Sequence, residues 1–287
     1  MIKLITTSKE LLLEVTNRPS DKSVGFVPTM GNLHLGHLSL VETSLKENDI
    51  TFVSIFVNPK QFGKNEDFGL YPRTLDQDLE LLKSLKNNQK TIVVFAPQTE
   101  IEIYPKGFST QISVQADFSK ILCAKSRPGH FGGVATVVYL LFQYIKPDRA
   151  YFGQKDLQQL HVIKKLTQDL MLPVQIISCP IVRDENGLAL SSRNQYLSKQ
   201  EKQKALVLSQ GLKKLASFIQ EKQDFDCADL EAYRDKITGK DSNWEYLEIL
   251  DADQLGPLST QSLNFALLGA YKLGKTRLID NLIVRKP

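Results

Sequence analysis

Cysteine is scarce: three in 287 residues, Cys123, Cys179 and Cys227, an odd number with no CxxC spacing. That excludes a disulfide framework and a zinc site built on paired thiolates, and it fits reduced thiols in a cytoplasmic protein. Long hydrophobic runs are missing too. The longest strongly apolar stretch, residues 134–142, is about half of the roughly 20 residues that a membrane-crossing helix needs. The first thirteen residues carry Lys3 and Lys9 and show no uninterrupted apolar core or cleavage pattern, so no secretion signal is expected. A dominant charge is also lacking. The 36 Lys plus Arg stand against 32 Asp plus Glu, leaving +4, too small an excess over this length for a surface that coats nucleic acid. Neither nucleic acid nor a membrane is an expected partner. What is present, 42% apolar and 24% charged residues, suffices for one large or two modest folded domains.

Residues 24–27 form a short apolar run closed by Pro28, and 52–57 a nearly unbroken one closed by Asn58-Pro59, the pattern of strands buried on both faces. Between them Leu38, Val41 and Leu45 recur at helical spacing. Thr74 with Gln77 three residues on predicts a capping box; Leu75, Leu79, Leu82 and Leu85 then line a helix ahead of a strand at 92–95. The order is βαβαβ, half of a doubly wound parallel sheet. Helices at 133–145 and 157–170 alternate with strands at 150–152 and 174–178. Beyond about 181 the pattern changes to a long helix at 199–222, a shorter one, and strands near 246–250, 265–268 and 277–284. The expected architecture is α/β: a Rossmann-like doubly wound sheet over 1–181 and a smaller α+β domain over 182–287.

The 24–27 strand runs into Pro28-Thr29-Met30-Gly31-Asn32-Leu33-His34-Leu35-Gly36-His37 and then a helix. Where a strand of an open α/β sheet ends at a helix N-terminus, free N–H groups and the helix dipole favour phosphate. His34 and His37, three apart, can face one anion, and Gly36 leaves room near the backbone. HxxH alone equally fits two packing histidines; its place after the strand favours the functional reading. Asn58 and Gln61, after the second strand, offer neutral donors and acceptors for a hydroxyl or carboxylate, though an Asn-Pro turn with a solvated Gln has the same pattern. Gly153-Gln154-Lys155-Asp156 precedes a helix bearing Gln158 and Gln159, so Lys155 can neutralise a phosphate while Asp156 caps the helix. Ser191-Ser192-Arg193, after Gly187-Leu188-Ala189-Leu190, suits a triphosphate. These are donors and cations without a Ser-His-Asp order, which points to phosphate-bond chemistry by positioning and charge neutralisation.

Residues 269–276, GAYKLGKT, match the P-loop pattern GxxxxGK[ST]. A P-loop must feed a helix and further strands. Only eleven residues remain, and 277–284 read as a strand, so a hairpin turn is expected instead.

PTMGNLHLGH at 28–37, SIFVNPKQF at 54–62, YPRT at 71–74, RPGHFGGVATVV at 127–138, FGQKDLQQL at 152–160, GLALSSRN at 187–194 and RLIDN at 277–281 closely resemble, in order, the pantothenate synthetase (pantoate–beta-alanine ligase) family. HxGH alone would mark only the wider nucleotidyltransferase superfamily; the other motifs are narrower. The resemblance implies that pantoate attacks the α-phosphate of Mg-ATP, giving pantoyl adenylate and pyrophosphate, and that the amine of β-alanine then displaces AMP. It implies an ATP site of Met30, Gly31, Asn32, Leu33, His34, Leu35, Gly36 and His37, with His37 at the family's proposed proton donor. Gly153, Gln154, Lys155 and Asp156 would contact nucleotide, and Val182, Leu190, Ser191, Ser192 and Arg193 would complete the site. His34, His37, Lys155 and Arg193 are the implied catalytic set. Gln61 and Gln159 would hold pantoate, Gln61 also meeting β-alanine, with Tyr71 and Arg73 shaping the substrate side. ATP and Mg²⁺ are the implied co-substrate and cofactor, and a homodimer the implied assembly. The metal ligands are left open, with Asp78 a candidate and Asp76 as easily a helix N-terminal charge. Cys123, Gly132 and Gln195 receive no role. Two other readings of the same residues are a nucleotidyltransferase that stops at a nucleotide-linked product, and a nucleotide-responsive binding protein.

Overall fold

The unbroken apolar runs become the middle of a parallel sheet. In the computed structural model, which describes all residues except 65, 86–89, 223–224, 260–261 and 286–287, the chain opens with β1 (Ile2–Ile5) and α1 (Ser8–Asn17). There follow β2 (Val24–Thr29), α2 (Leu35–Glu47), β3 (Ile50–Ile55), α3 (Leu75–Lys83) and β4 (Thr91–Phe95). One helical turn, α4 (Cys123–Ser126), precedes the apolar helix α5 (His130–Ile145), which leads to β5 (Arg149–Gly153), α6 (Leu157–Asp169) and β6 (Gln175–Cys179). Among the described residues the sheet runs β1-β4-β3-β2-β5-β6, with every pair parallel. The chain steps outward from β2 to β3 and β4, then returns to the far side of β2 for β5. This is a doubly wound, Rossmann-like sheet, and its winding reverses between β2 and β5, where ligands of such sheets bind beyond the strands' carboxyl ends.

Central strands are sealed on both faces. Phe26, Val27, Phe52, Val53, Val94 and Phe95 are fully buried, and α5 adds Val134, Val138, Leu141 and Ile145 to the core. The C-terminal carbonyls of α5 are met by Arg18, whose guanidinium donates to Ile145 O at 2.7 Å and Lys146 O at 3.0 Å. Two expectations need correction. Pro28 does not close β2, which continues to Thr29; pairing with β5 covers only Gly25 and Phe26, so a residue lacking N–H costs no ladder bond on that side. The capping box at Thr74 does not form either. Thr74 N-caps α3, but its hydroxyl turns to Asp78 Oδ1 at 3.3 Å, a buried carboxylate being the stronger acceptor.

The residues group into two compact units, Met1–Gly153 with Gln159–Pro180, and Gln154–Gln158 with Ile181–Pro287. In the second, α7 (Lys199–Glu221) and α8 (Cys227–Thr238) pack on an antiparallel sheet of β7 (Trp244–Asp251), β8 (Asn264–Leu273) and β9 (Thr276–Arg285), in the order β7-β8-β9. Leu212, Leu215 and Ile219 of α7 meet Phe265 and Leu267 of β8. The P-loop-like residues lie in the β8–β9 hairpin: Gly269 sits inside β8 beneath Leu208, and Gly274, at φ +55°, opens a two-residue turn before β9.

Candidate active site

The loop after β2 is shaped by residues within a few positions of one another. His34 is the N-cap of α2, and its Nδ1 accepts from Gly36 N at 3.1 Å; three residues on, the Nδ1 of His37 accepts from His34 N at 3.3 Å. This is a capping box built from imidazoles instead of a hydroxyl and a carboxylate. The rings lie 4.1 Å apart between centroids. An Nδ1 that accepts a backbone hydrogen bond carries no proton, so the proton of each neutral ring sits on Nε2. HxxH here yields two Nε2–H donors at a helix N-terminus.

The preceding stretch is tied down from α3. Gly31 and Asn32 have positive φ of +80° and +51°, and two N–H groups of this bend go to Asp78: Asn32 N to Oδ2 at 3.0 Å, Leu33 N to Oδ1 at 2.7 Å. Asp78 is 1% exposed. Burial pushes its carboxyl up, against the two backbone N–H groups and the Thr74 hydroxyl, which hold it down; burial wins. With those bonds made, Asp78 acts as a brace for the loop.

The turn after β3 is held by distant residues instead. Asn58 is fully buried. Its Oδ1 accepts from Lys60 N at 3.2 Å and from the Tyr104 hydroxyl at 2.7 Å, and its Nδ2 donates to Gly133 O at 3.2 Å and to Gln61 Oε1 at 3.0 Å. A backbone N–H only donates and a carbonyl only accepts, so Lys60 and Gly133 fix the orientation of the Asn58 amide, and Asn58 fixes that of Gln61. Gln61 therefore turns its Nε2 donors the other way, where Met30 Sδ lies at 3.2 Å. Burial, with the Glu100 charge adding to it, pushes the Tyr104 phenol up, so it stays a protonated donor. α5 approaches this turn so closely that a Cβ at Gly133 would fall 2.2 Å from Lys60 O.

The second unit carries the other implied residues, on supports that the sequence did not disclose. Asn281 of β9 donates from Nδ2 to the carbonyls of Gln154 and Lys155, both at 2.9 Å, and fixes the turn that leads into α6. The Lys155 ammonium lies 3.1 Å from Asp156 Oδ2. Buried Asp280 accepts from Arg183 at 2.6 and 2.9 Å, and Arg183 also donates to Gly187 O at 3.1 Å. Arg183 bridges to Ala189, and Leu190 N donates to Val182 O at 2.9 Å, closing the strap between them. Ser191 then caps the turn Ser192–Tyr196 by accepting from Arg193 N at 3.3 Å. Lys155 and the 182–193 strap thus share β9 as anchor through the neighbouring residues Asp280 and Asn281.

The remaining positions fall as follows. Leu35 is 66% exposed while Leu33 is buried; Gly153 ends β5, and Gln159 is half-buried on α6. Tyr71 is buried against Phe62, and Arg73 donates to Tyr71 O at 3.2 Å. Cys123 is buried and Gln195 exposed. Within the first unit Asn58, Asp78, Tyr104, Arg127 and His130 support implied residues, and within the second Arg183, Asp280 and Asn281 do so.

A doubly wound sheet with an HxGH-capped helix after the strand at its winding reversal defines an α/β protein of the nucleotidyltransferase type. A family model described as Pantoate-beta-alanine ligase matches residues 2–283. Pantothenate synthetase of Acetivibrio thermocellus is 46% identical over 286 residues, covering 99% of each chain. That of Caldicellulosiruptor saccharolyticus is 48% identical over 265 residues, covering 92% of each. A crystal structure of the Thermus thermophilus enzyme superposes with a TM-score of 0.89 at 41% identity, covering 98% of this chain and 99% of that one. The Francisella tularensis ligase, complexed with beta-gamma ATP and beta-alanine, superposes with a TM-score of 0.75 at 35% identity, covering 99% and 98%. The chain belongs to the pantoate–beta-alanine ligase family.

Proposed function

We infer that the chain condenses (R)-pantoate with β-alanine at the expense of ATP, giving pantothenate, AMP and pyrophosphate through pantoyl adenylate. The family match from residue 2 to 283 carries this reading. Adenylation is needed because a free carboxylate is a poor acyl donor, whereas AMP leaves readily.

In this reading the Nε2–H groups of His34 and His37 donate to the α-phosphate oxygens as charge builds on them. A proton added at Nδ1 would oppose the backbone N–H that each ring accepts. His37 therefore serves as a neutral hydrogen-bond donor, which refines the proton-donor role that the family resemblance implies. Gln61 offers its amide N–H groups to pantoate, supported by the Asn58 bond to its Oε1; Gln159 assists, and Gln61 also meets β-alanine. Met30 to His37, Gly153 to Asp156, Val182 and Leu190 to Arg193 contact the nucleotide, with Lys155 and Arg193 on phosphate.

Mg²⁺ accompanies ATP in this proposal as a charge-neutralising ion on the phosphates. Among the described residues no group of three or more His, Cys, Asp or Glu side chains could hold a metal ion. Asp78 is buried with its oxygens engaged by Asn32, Leu33 and Thr74. An Mg²⁺ held by the phosphates and waters needs no such cluster, and no step above runs through a metal. The proposal also includes a homodimer, tested by sedimentation, and a cytoplasmic setting. The three cysteine thiols suit the latter; among the described residues no helix is long and apolar enough to cross a membrane.

A product assay omitting ATP, pantoate and β-alanine in turn tests the function. AMP and pyrophosphate should form only with pantoate present, and amide only with β-alanine. ADP and phosphate as products would reject the mechanism, and indifference to β-alanine would favour a plain nucleotidyltransferase.

A further inference from the structure

A second chain of polar groups in the first unit ends on the backbone of Gln61. Arg127 Nε lies 3.0 and 3.1 Å from the two carboxylate oxygens of Glu66, and its Nη2 meets the same carboxylate. Its Nη1 is 2.9 Å from His130 Nε2, and His130 Nδ1 is 2.8 Å from the carbonyl oxygen of Gln61. Nη2 reaches that carbonyl as well, at 3.4 Å. A guanidinium only donates. His130 must then accept at Nε2, keep its proton on Nδ1 and donate it to Gln61, so the direction of every bond is determined. His130 is 8% exposed. At the far end, burial raises the Glu66 carboxyl, but the hydrogen bonds and charge of Arg127 outweigh it and hold the group below its ordinary range. The Glu66 carboxylate stays charged and keeps the fork of Arg127 in place.

We propose that Arg127 and His130 are positioning residues for pantoate binding: Arg127 selects the His130 tautomer, and His130 fixes the Gln61 backbone so that its amide donors meet the substrate. The proposal rests on the assignment of Gln61 to pantoate. Gln61 is then held at both ends, its side-chain polarity by Asn58 and its main chain by His130. Partners of this kind orient a contact group without touching the ligand, as outer-shell residues do around metal sites. A mere packing role for His130 would not depend on which ring nitrogen bears the proton.

The experiment compares kcat and KM for pantoate, β-alanine and ATP, with thermal midpoints, in the full chain and in Gln61→Ala, His130→Ala, His130→Asn and Arg127→Lys. His130→Ala should raise the pantoate KM about tenfold, the scale of one buried hydrogen bond, with the ATP KM held within about twofold. His130→Asn places an amide N–H near the position of Nδ1 and should recover most of the loss. Arg127→Lys keeps the charge near Glu66 but lacks the planar fork that spans carboxylate and imidazole together, so it should resemble His130→Ala. It also keeps the test decisive if His130→Ala folds poorly. An unchanged pantoate KM in both His130→Ala and Arg127→Lys, with a raised one in Gln61→Ala, would overturn the inference and leave the Gln61 assignment standing. An unchanged KM in Gln61→Ala overturns both. A rise in ATP KM that keeps step with pantoate would show a general structural role and would also overturn it.

Discussion

Two turns of the first unit present donors, and they are built in opposite ways. The His34–His37 turn closes on itself, each imidazole accepting from an N–H two or three residues away. The Asn58–Gln61 turn depends on Tyr104, Arg127, His130 and Gly133, between 46 and 75 residues away in sequence. The first arrangement takes its two cap bonds from its own residues, with Asp78 bracing only the stretch before it. The second spreads its support over many bonds, so single losses are partial, while its geometry is hostage to how α5 packs. In the proposed reading the phosphate-facing donors belong to the local turn and substrate orientation to the distant one, so changes that reach Gln61 should leave the phosphate donors in place.

The largest effect should come from breaking the local turn at its working atom. His37→Ala removes one Nε2–H and the acceptor for His34 N; adenylate formation should fall by at least ~10²-fold, while the missing cap bond costs about 1 kcal/mol of stability. Single-turnover adenylate formation and a melting curve separate the two, and normal turnover would refute the assigned role. Next comes Gly133→Ala, which attacks the distant turn by steric means. Its Cβ would stand 2.2 Å from Lys60 O and 2.7 Å from Gln61 Cα, so backbone must move. A stability loss of about 1–3 kcal/mol is expected, with a lower kcat/KM for pantoate and an unchanged KM for ATP. Denaturant titration and steady-state kinetics check it; equal losses for both substrates would erase the contrast between the turns. A gentler probe is Asn58→Ala, which leaves Gln61 Oε1 without its donor. About a tenfold fall in kcat/KM for pantoate follows if amide polarity is what Asn58 supplies.

The same contrast explains what the sequence disclosed. Elements defined by local periodicity were legible: β2 and β3 as buried runs, the helices α2, α5, α6 and α7, and the smaller sheet, where Gly274 made a hairpin of the P-loop look-alike. β1 and α1 were missed although Thr7 and Glu10 form a capping box, because β1 is an edge strand with two of its four residues exposed and lacks the buried pattern. HxxH was legible as a motif, but its role as a reciprocal cap follows only from the Nδ1 contacts. That Asp78 braces Asn32 and Leu33 was not legible, a pairing across more than forty residues that no spacing rule carries. The motifs at 127–138 and 277–281 marked a family without revealing that Arg127 and His130 bear on Gln61, or that Asn281 holds the Lys155 turn.

The smallest predicted effect isolates the capping geometry from the chemistry. At the start of α7, Ser198 and Glu201 make the same reciprocal arrangement as His34 and His37: Glu201 N donates to Ser198 Oγ at 3.2 Å, and Ser198 N to Glu201 Oε2 at 2.8 Å. The backbone and hydroxyl of Ser198 hold the Glu201 carboxyl below its ordinary range. A carboxyl depressed by folding contributes stability above its unfolded-state value and loses it as pH falls through the lower folded value. Glu201→Gln keeps an acceptor oxygen but removes the charge. Its melting temperature should lie slightly below that of the parent at pH 7, and the gap should close as the pH drops into the acid range, with substrate turnover unaffected throughout. A gap that widens on acidification would mean that the carboxylate is not stabilised by its cap, and would weaken the same argument for the imidazole pair.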